Sequence, residues 1–445
     1  MSNIRGRVGV GIIGCGNVGA ALIEAFWSRT ELINHESGAY VVLSAVCNRS
    51  SNRMKKVLKE CGGNAFPGIK QYTKYQNLIN DPAVDIVVEL IGGDAVAYNV
   101  ITSALKKGKH VVTANKAVMA GRWSDIFELA QQMEKMVYFE AAVMAGVSVC
   151  QIINEGLRGN NISEFYGIVN GTTNFILTRM MESGSSLENA LKDAQHLGYA
   201  ESDSTSDIEG YDSMYKLRIL SSIISGTHIS DIHVQRWGIK YVSAQDISFA
   251  QYWGYVIKLL VRAKFDMMCN TFEVRPFFVP KSHMLANVKE VSNALFVKGD
   301  LSGPVMFLGD GAGGKAAASG VISDIICQAR HIAAGTAGKS PYILFEPETR
   351  MQITSIGQIQ GQFHISLEVL DDAGSLQTVA RVLAEHGISV GRMNQIPGGD
   401  EGTENAVISI ITHSVVEREL VAAILELNDT EVVLGKSAHY FKIFN

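Results

Sequence analysis

The chain has 445 residues, which is enough for two or three domains rather than one core. Its formal net charge is −5 and its lysines and arginines are scattered, so the charge pattern disfavours nucleic acid or a membrane surface as a partner. No apolar run approaches the roughly 20 residues that span a bilayer, and the N-terminus lacks the features of a signal peptide. The six cysteines form no CxxC pair, which favours reduced thiols. These features predict a cytoplasmic protein that acts on a small molecule.

Strand-like and helix-like segments alternate through the first 146 residues. The predicted strands are Val8–Ile13, Tyr40–Cys47, Asp85–Ile91, His110–Thr113 and Val137–Ala142, and the predicted helices are Val18–Ser28, Ser51–Glu60, Ala95–Lys107 and Trp123–Lys135. Strands that alternate with helices of about 10–15 residues predict a doubly wound parallel sheet of the α/β class, covered on both faces.

A glycine-rich segment, Gly14-Cys15-Gly16-Asn17-Val18-Gly19, follows the first apolar strand and opens a helix. In that context the first glycine permits a tight turn, the second lets the backbone approach a pyrophosphate, and the third allows close packing of strand and helix. The segment predicts a dinucleotide-binding domain of the Rossmann type over residues 1–146, with a cofactor site at Gly14, Gly16, Asn17, Val18 and Gly19.

The end of the second predicted strand indicates which nicotinamide cofactor is used. NAD sites usually place an acidic residue there, on the ribose 2′-hydroxyl. This chain has Asn48, followed by Arg49 and Arg53, whose guanidinium groups would pair with a 2′-phosphate. The pattern favours NADP, with NAD as the alternative, unless both arginines only form the solvated start of a helix.

Residues 147–314 contain longer helices and fewer strands, and we interpret them as an α+β domain for substrate binding and dimerisation. The Ala- and Ile-rich stretch at about 315–335 predicts a helix that packs back on the first domain. A linker is expected over 336–360.

The middle domain carries an unusual run of charges: five carboxylates between Glu201 and Asp212, then Lys216 in an apolar helix. On a helical wheel Lys216 shares the stripe of Asp212 and Ile219, with Arg218 roughly opposite. Apolar surroundings disfavour the charged lysine whereas nearby carboxylates favour it, and enzymes use this balance to tune a proton donor. The alternative is an ordinary surface pair between Asp212 and Lys216.

The tail, residues 361–445, begins a new pattern. Alternation of Phe363, Ile365 and Leu367 with polar neighbours predicts a half-buried strand. The predicted order of the tail is βαββαβ, which is ferredoxin-like and indicates a separately folding regulatory module.

Four further motifs resemble those of the homoserine dehydrogenase family. They are Thr113-Ala114-Asn115-Lys116, Glu140-Ala141-Ala142-Val143, Val169-Asn170-Gly171-Thr172-Thr173-Asn174-Phe175-Ile176-Leu177-Thr178 and Leu197-Gly198-Tyr199-Ala200-Glu201. Together with the lysine-bearing helix they occur in order between about Val8 and Ile326. The tail is similar to an ACT domain, as in monofunctional members of that family.

The resemblance implies the reversible NADP-dependent reduction of aspartate semialdehyde to homoserine, in the biosynthesis of threonine, methionine and isoleucine. Hydride addition to an aldehyde leaves an alkoxide, which a nearby ammonium group can stabilise and protonate. The roles carried over are Lys216 as proton donor, Lys116 between cofactor and substrate, Asp212 and Asp207 as organisers of lysine and substrate, Glu201 on the substrate ammonium, Gly171 and Thr172 at the substrate, and Gly92, Lys116, Gly311 and Gly313 at the cofactor. Asn170, Thr172 and Thr173 could donate to the substrate carboxylate or simply cap a helix.

The family also has a site for a monovalent cation such as Na⁺. By resemblance it would comprise the Glu140 carboxylate and the backbone carbonyls of Val143, Ala145 and Val147, an oxygen set suited to such an ion. The chain departs from the family pattern just after Val143, where Met144-Ala145-Gly146-Val147-Ser148 replaces a more glycine-rich stretch.

An ACT-like tail implies feedback control by an amino acid, with threonine first and isoleucine second. Ala373 replaces the usual proline of the first turn, while Gly374 still permits close backbone approach. A homodimer or homotetramer is expected by analogy. Three other functions stay open: a phosphorylating dehydrogenase, which would need an activated cysteine; a catalytically inactive sensor; and a reductase of another amino-acid semialdehyde.

Overall fold

The structure is a computed structural model that describes residues 6–61, 68–266, 270–345, 352–354, 356–398 and 405–444. The chain divides into two compact units. The first comprises Met1–Phe165, Asp212–Ile232 and Val291–Met351, and the second comprises Tyr166–Tyr211, His233–Glu290 and Gln352–Asn445. The predicted domain borders do not coincide with this division, because the lysine-bearing helix belongs to the first unit.

The strands are β1 (Arg7–Ile13), β2 (Tyr40–Cys47), β3 (Lys70–Tyr72), β4 (Ile86–Glu89), β5 (His110–Thr113), β6 (Val137–Tyr138), β7 (Ile162–Ile168), β8 (Val234–Arg236), β9 (Tyr255–Lys264), β10 (Thr271–Pro280), β11 (Ser292–Gly299), β12 (Gly303–Asp310), β13 (Gln360–Gly361), β14 (Phe363–Leu370), β15 (Val390–Gly398), β16 (Asn405–Thr412), β17 (Val415–Val416) and β18 (His439–Ile443). The helices are α1 (Asn17–Ser28), α2 (Thr30–Ser37), α3 (Ser51–Glu60), α4 (Tyr75–Ile79), α5 (Ala95–Lys106), α6 (Lys116–Gly121), α7 (Trp123–Gln132), α8 (Val149–Gln151), α9 (Gly171–Ser183), α10 (Leu187–His196), α11 (Thr205–Ile208), α12 (Tyr211–Ser225), α13 (Ala244–Tyr252), α14 (Gly314–Ala334), α15 (Ser375–Glu385) and α16 (Glu417–Asp429).

The first unit contains a parallel six-stranded sheet in the order β3-β2-β1-β4-β5-β6. This confirms the doubly wound sheet, since strands such as β4, whose first three residues are apolar, are buried along their whole length. Helix α14 packs on β1 and α1 through Val321 and Ile325, as predicted for the returning helix. The sequence analysis missed the short α2 and α6, because helices of this length show little periodicity.

Helix α12 is buried on almost every side. Lys216 is 8% exposed and Asp212 only 2%, which rules out the alternative of an ordinary surface pair. Arg218, expected on an opposite face, is also buried, and its guanidinium donates to the carbonyls of Ile229 and Ala120. The simple two-faced interpretation of this helix was therefore wrong, because backbone carbonyls from other segments satisfy its polar side chains.

The second unit contains a mixed sheet in which β9 pairs antiparallel with β10 and the tail strands follow in the order β18-β14-β16-β15. The tail confirms the predicted ferredoxin-like order. Its strand β14, however, is not half-buried: His364 is 0% exposed, and its Nε2 lies 2.8 Å from Ser409 Oγ, which also accepts the indole N–H of Trp253. Burial lowers the pKa of His364 to about 3, so the ring is neutral.

The tail also shares its sheet with the rest of the second unit. Strand β18 pairs in parallel with β10 through Phe277 and Lys442, so the ferredoxin-like segment continues an existing sheet. The prediction of a separately folding module did not anticipate this continuity, because strand pairing between distant segments has no local signature.

Two predictions from composition can be compared with the described residues. The five cysteines among them are free, and Cys269 lies outside the described residues. Over the same part of the chain, none of the helices has the length and apolar composition that would let it cross a bilayer.

Candidate active site

The glycine-rich turn between β1 and α1 has the geometry that its sequence predicts. Gly14 has φ +113°, and a Cβ there would lie 2.5 Å from the carbonyl oxygen of Leu90. A Cβ on Gly19 would lie 2.1 Å from the Gly14 carbonyl oxygen, whereas one on Gly16 would meet nothing within 4 Å. The open space above Gly16, at the N-terminus of α1, is where a pyrophosphate can approach the backbone.

The end of β2 lies directly against this turn. The side-chain oxygen of Asn48 accepts the amide N–H of Cys15 at 3.3 Å, and the Arg53 guanidinium donates to the Cys15 carbonyl at 2.8 Å. Arg49 is exposed beside them. The guanidinium group of Arg53 thus lies against the turn, and the exposed Arg49 directly follows Asn48.

A second glycine-rich loop, Gly309–Gly314, returns to the same turn. Gly313 has φ +113°, and a Cβ on Gly314 would lie 3.0 Å from the carbonyl oxygen of Asn17. Gly311 must also lack a side chain, because its Cβ would overlap the Asn293 amide at 1.9 Å. The loop therefore lies beside the N-terminus of α1, as expected for a segment that contributes Gly311 and Gly313 to a cofactor site.

A cleft of about 310 Å³ opens at the carboxyl ends of β4 and β5. It is lined by Val18, Leu90, Ile91, Gly92, Gly93, Ala114, Asn115, Lys116 and Ala117. In open parallel sheets ligands bind in this kind of crevice, beyond the carboxyl ends of the strands. The cleft brings together three of the predicted cofactor residues: Val18, Gly92 and Lys116.

Two lysines meet one buried carboxylate at this end of the first unit. Lys216 Nζ lies 2.8 Å from Asp212 Oδ2, and Lys116 Nζ pairs with Asp212 Oδ1. Burial by itself would raise the pKa of the Asp212 carboxyl, but the ammonium groups of Lys216 and Lys116 outweigh it and hold that pKa below its ordinary range. The side chain of Lys116 is 42% exposed and that of Lys216 is 10% exposed, so each can present an ammonium group while Asp212 stays ionised.

The remaining substrate candidates belong to the second unit. Asn170 caps α9 by accepting the amide N–H of Thr173 at 2.8 Å, and its amide donates to Asp207 Oδ1 at 2.7 Å. Thr172 donates to the Tyr199 carbonyl at 2.7 Å, and Gly171 is the first residue of α9. Glu201 is exposed, and its carbonyl accepts the Ser204 hydroxyl. Asn170 therefore caps α9 and also holds Asp207 by a hydrogen bond.

Glu140 is completely buried after β6. Its two carboxylate oxygens accept the backbone amides of Cys150 and Gln151 at 2.9 and 2.8 Å, and burial raises its pKa to about 7. The candidate carbonyls follow at once in the chain. That of Val147 accepts the Val149 amide, and that of Ala145 faces Gly320, where a Cβ would lie 2.9 Å away.

Two further residues, Asn115 in the cleft lining and Glu89 beside it, were not predicted from the sequence. Glu89 ends β4 with 0% exposure, and its carboxylate accepts the Ile91 amide and the Thr113 hydroxyl. Asn115 caps α6 and donates to the carbonyls of Ile91 and Gly93. An acidic residue that ends an apolar strand was the available signal for Glu89.

Comparisons with known proteins agree with this geometry. A family model described as "Homoserine dehydrogenase, NAD binding domain" matches residues 14–140, one described as "Homoserine dehydrogenase" matches 149–326, and an ACT domain model matches 363–432. The chain is 36% identical to homoserine dehydrogenase of Neisseria gonorrhoeae over 428 residues, covering 96% of each chain. It is 34% identical to that of Bacillus subtilis over 433 residues, covering 97% of each.

Solved structures extend the likeness. A homoserine dehydrogenase from Thiobacillus denitrificans matches with a TM-score of 0.91 and 33% identity, over 99% of this chain and 100% of that one. A hyperthermophilic archaeal homoserine dehydrogenase in complex with NADPH matches with a TM-score of 0.59 and 27% identity, over 72% of this chain and 97% of that one. With this identity over nearly the whole length, the chain belongs to the homoserine dehydrogenase family and is an NAD(P)-dependent oxidoreductase with a C-terminal ACT domain.

Proposed function

We propose that the protein reduces aspartate semialdehyde to homoserine with NADPH, reversibly, and that Lys216 donates the proton. The observation that carries this assignment is the pairing of Lys216 and Lys116 with one buried, ionised Asp212. Oxidation of NADPH on addition of aspartate semialdehyde is the direct test. Binding without turnover of either nicotinamide would favour a sensor of amino acid and nucleotide instead.

The proposed chemistry follows from the charges of the three side chains. The nicotinamide supplies a hydride when it is bound, and the aldehyde oxygen then becomes an alkoxide. Lys216 stabilises that oxygen and gives it a proton, while Asp212 holds the lysine in place. Lys116, at the cleft and also paired with Asp212, places a second positive charge near the reacting groups.

Substrate binding is assigned to the second unit. The exposed Glu201 carboxylate suits the substrate ammonium group, and Asp207, held by Asn170, supplies further negative charge. Gly171 and Thr172, at the start of α9, offer donors to the substrate carboxylate.

We infer that NADPH is preferred over NADH. Asn48 replaces the acidic residue typical of NAD sites, Arg53 lies against the turn, and the archaeal relative is described in complex with NADPH. Arg49→Ala is expected to raise KM for NADPH by roughly 10-fold or more, the size of a lost charge-assisted bond, with little change for NADH. Lys56→Ala removes another exposed positive charge, from helix α3 that begins just after Arg49, and serves as the control. Equal effects of Arg49→Ala on both cofactors would contradict the assignment.

We also propose a monovalent cation, most simply Na⁺, at Glu140 and the carbonyls of Val143, Ala145 and Val147. The donor set consists of oxygens only, which fits an alkali ion, and each oxygen that already accepts an amide keeps a second lone pair. Turnover and thermal unfolding in sodium and in choline buffers test the site, and identical curves would remove it.

The ACT domain offers a site for an effector amino acid, for which we propose threonine, with isoleucine second. A cleft of about 370 Å³ surrounds the turn before α15 and is lined by Leu370, Asp372, Ala373, Gly374, Ser375, Gln377, Thr378, Arg381 and Val432. Asp372→Asn is expected to weaken inhibition by threonine at least roughly tenfold, as loss of a charged partner does, at unchanged basal kcat. Asp371→Asn, next in the chain but outside the cleft lining, is the matched control. Equal inhibition of both variants would place the effector elsewhere.

A homodimer or larger homo-oligomer is part of the proposal. The hairpin of β11 and β12 exposes large apolar side chains, with Leu301 82% and Leu308 58% exposed, and a second copy of the chain would cover them. Analytical ultracentrifugation tests this, and a monomer at assay concentration would contradict it.

A further inference from the structure

Four residues form a closed ring of hydrogen bonds where β4 and β5 end. Glu89 Oε1 accepts the Ile91 amide at 2.5 Å, and the Ile91 carbonyl accepts the side-chain amide of Asn115 at 3.0 Å. The Asn115 backbone N–H donates to the Thr113 hydroxyl oxygen at 3.0 Å, and that hydroxyl donates to Glu89 Oε2 at 2.6 Å. The ring thus closes on the two oxygens of one carboxylate.

The direction of each bond follows from the donors available. Thr113 has one hydroxyl proton, and its oxygen already accepts the Asn115 amide, so the proton goes to Glu89. Glu89 therefore accepts at both oxygens, and these two bonds favour the ionised carboxylate against the burial that raises the pKa of Glu89 to about 7. Glu89 and Thr113 are both 0% exposed, so water cannot replace either bond.

The ring fixes the residue that precedes Lys116. Asn115 caps α6 by accepting the Val118 amide at 3.2 Å, and Lys116 is the first residue of that helix. Glu89 and Thr113 lie opposite each other in the register of β4 and β5, so the ring ties α6 to the rigid centre of the parallel sheet. Ile91, Asn115 and Lys116 all line the cleft. Two residues of the ring, Ile91 and Asn115, therefore form part of the cleft wall.

We propose that Glu89 is a positioning residue that sets Lys116 through Thr113 and Asn115. This inference rests on the proposed role of Lys116 in the reaction. Glu89 is not among the residues that line the cleft; it acts by fixing the N-terminus of α6, from which the Lys116 side chain reaches Asp212. The nucleotide turn at Gly14–Gly19 is not part of the ring, so loss of the ring is expected to change kcat far more than the affinity for NADPH, even though Gly92 and Lys116 of the predicted cofactor site line the same cleft.

The experiment compares Glu89→Gln, Thr113→Val, Thr113→Ser and the double variant Glu89→Gln/Thr113→Val in the full chain. Glutamine keeps the shape of Glu89 but can accept only at one end, and valine keeps the shape of Thr113 without its hydroxyl. Both single variants are expected to lower kcat roughly 10- to 100-fold, the range for a misplaced catalytic group, while Kd for NADPH changes less than about threefold. Serine restores the hydroxyl and should restore kcat.

Two comparisons separate positioning from a general loss of structure. The double variant should be no slower than the slower single variant, because breaking one bond already opens the ring. Thr102→Val removes a hydroxyl bond to the Tyr98 carbonyl in α5, outside the ring, and should leave kcat unchanged. Thermal unfolding of every variant identifies any that fails to fold. If Thr113→Val fails to fold, the kcat of Glu89→Gln is compared with that of Thr113→Ser. If Glu89→Gln fails to fold, the kcat of Thr113→Val is compared with that of Thr113→Ser.

The outcomes also distinguish this inference from the proposed function. If Glu89→Gln and Thr113→Val fold and turn over at the wild-type kcat, the proposed positioning role of Glu89 is wrong. If Lys116→Ala is slow in that case, only the ring inference fails. If Lys116→Ala itself retains the wild-type kcat, the proposed role of Lys116 fails instead.

Discussion

Replacing Lys216 by alanine is expected to lower kcat by roughly 10²- to 10⁴-fold, the usual effect of losing a general acid. The alkoxide that forms on the substrate then lacks both its proton donor and its nearest ammonium group. Binding of NADPH should stay near normal, because the nucleotide turn lies on β1 and α1 and makes no use of Lys216. Steady-state kinetics, with NADPH binding followed by fluorescence, measure both quantities.

Lys216→Arg separates charge from proton transfer. Arginine keeps the positive charge beside Asp212 but holds its proton too tightly to serve as a general acid. We therefore expect Lys216→Arg to fold well and to remain slow. If Lys216→Ala keeps a near-wild-type kcat, the proton donor is instead Lys116, the other lysine paired with Asp212.

Replacing Glu273 by alanine is expected to lower the free energy of unfolding by about 3–5 kcal/mol, the usual result of removing one partner from a buried ion pair. Glu273 is 0% exposed and accepts from three cations, since Lys442 Nζ lies 2.9 Å, Arg262 2.9 Å and Arg275 3.4 Å from its carboxylate oxygens. Arg275 also bonds Glu417 at 2.7 Å. Denaturant unfolding of the full chain measures the change.

An exposed pair provides the control for this loss. Glu182 and Lys289 lie 2.7 Å apart with about half of each side chain in solvent, so Glu182→Ala should lower the free energy of unfolding far less than Glu273→Ala does. Equal losses for Glu182→Ala and Glu273→Ala would show that burial adds nothing to the network.

The same network predicts destabilisation by acid. Burial alone would raise the pKa of Glu273, but Lys442, Arg275 and Arg262 outweigh it and lower that pKa to about 2. A carboxyl whose pKa is lower in the folded than in the unfolded state stabilises the fold above its unfolded pKa, and this contribution is lost as pH falls from about 4.5 towards about 2. Glu273→Ala should therefore flatten the decline in stability over that interval.

This network also decides how the ACT domain should be tested. Lys442 and Glu417 belong to the tail, whereas Glu273 and Arg275 lie on β10, which pairs with β18. Deleting residues 361–445 would take Lys442 from Glu273 and Glu417 from Arg275 and would uncover the edge of β10, so a truncated chain would report on folding before it reported on regulation. Point variants in the effector cleft avoid this problem.

Features with a local signature were predicted from the sequence. The interiors of β1, β4 and β5 are apolar and buried, which identifies strands covered on both faces. Position 14 requires glycine because of its positive φ, and position 19 requires glycine because a Cβ there would clash with the Gly14 carbonyl. The spacing of the motif indicates both requirements. The order of the tail elements followed in the same way from alternation and turn residues.

Other features depended on segments that are far apart in the chain. The spacing of Asp212 and Lys216 indicated a pair, but only the fold added Lys116 from α6 and showed that the pair is buried. The polar position of His364 in the alternating pattern predicts exposure, whereas the fold places its ring against Phe278 and 2.8 Å from Ser409 Oγ.

The amino-acid sequence by itself determined the longer helices and strands, the nucleotide turn and the acid–lysine pair, because periodicity, glycine spacing and i,i+4 contacts act within a few residues. Tertiary structure alone decided which polar side chains are buried, that β18 continues the sheet of β10, and that Glu89 closes a ring with Thr113 and Asn115. The physical reason is that burial and hydrogen bonding of a side chain are set by whatever packs against it, and those partners come from segments that no local pattern connects.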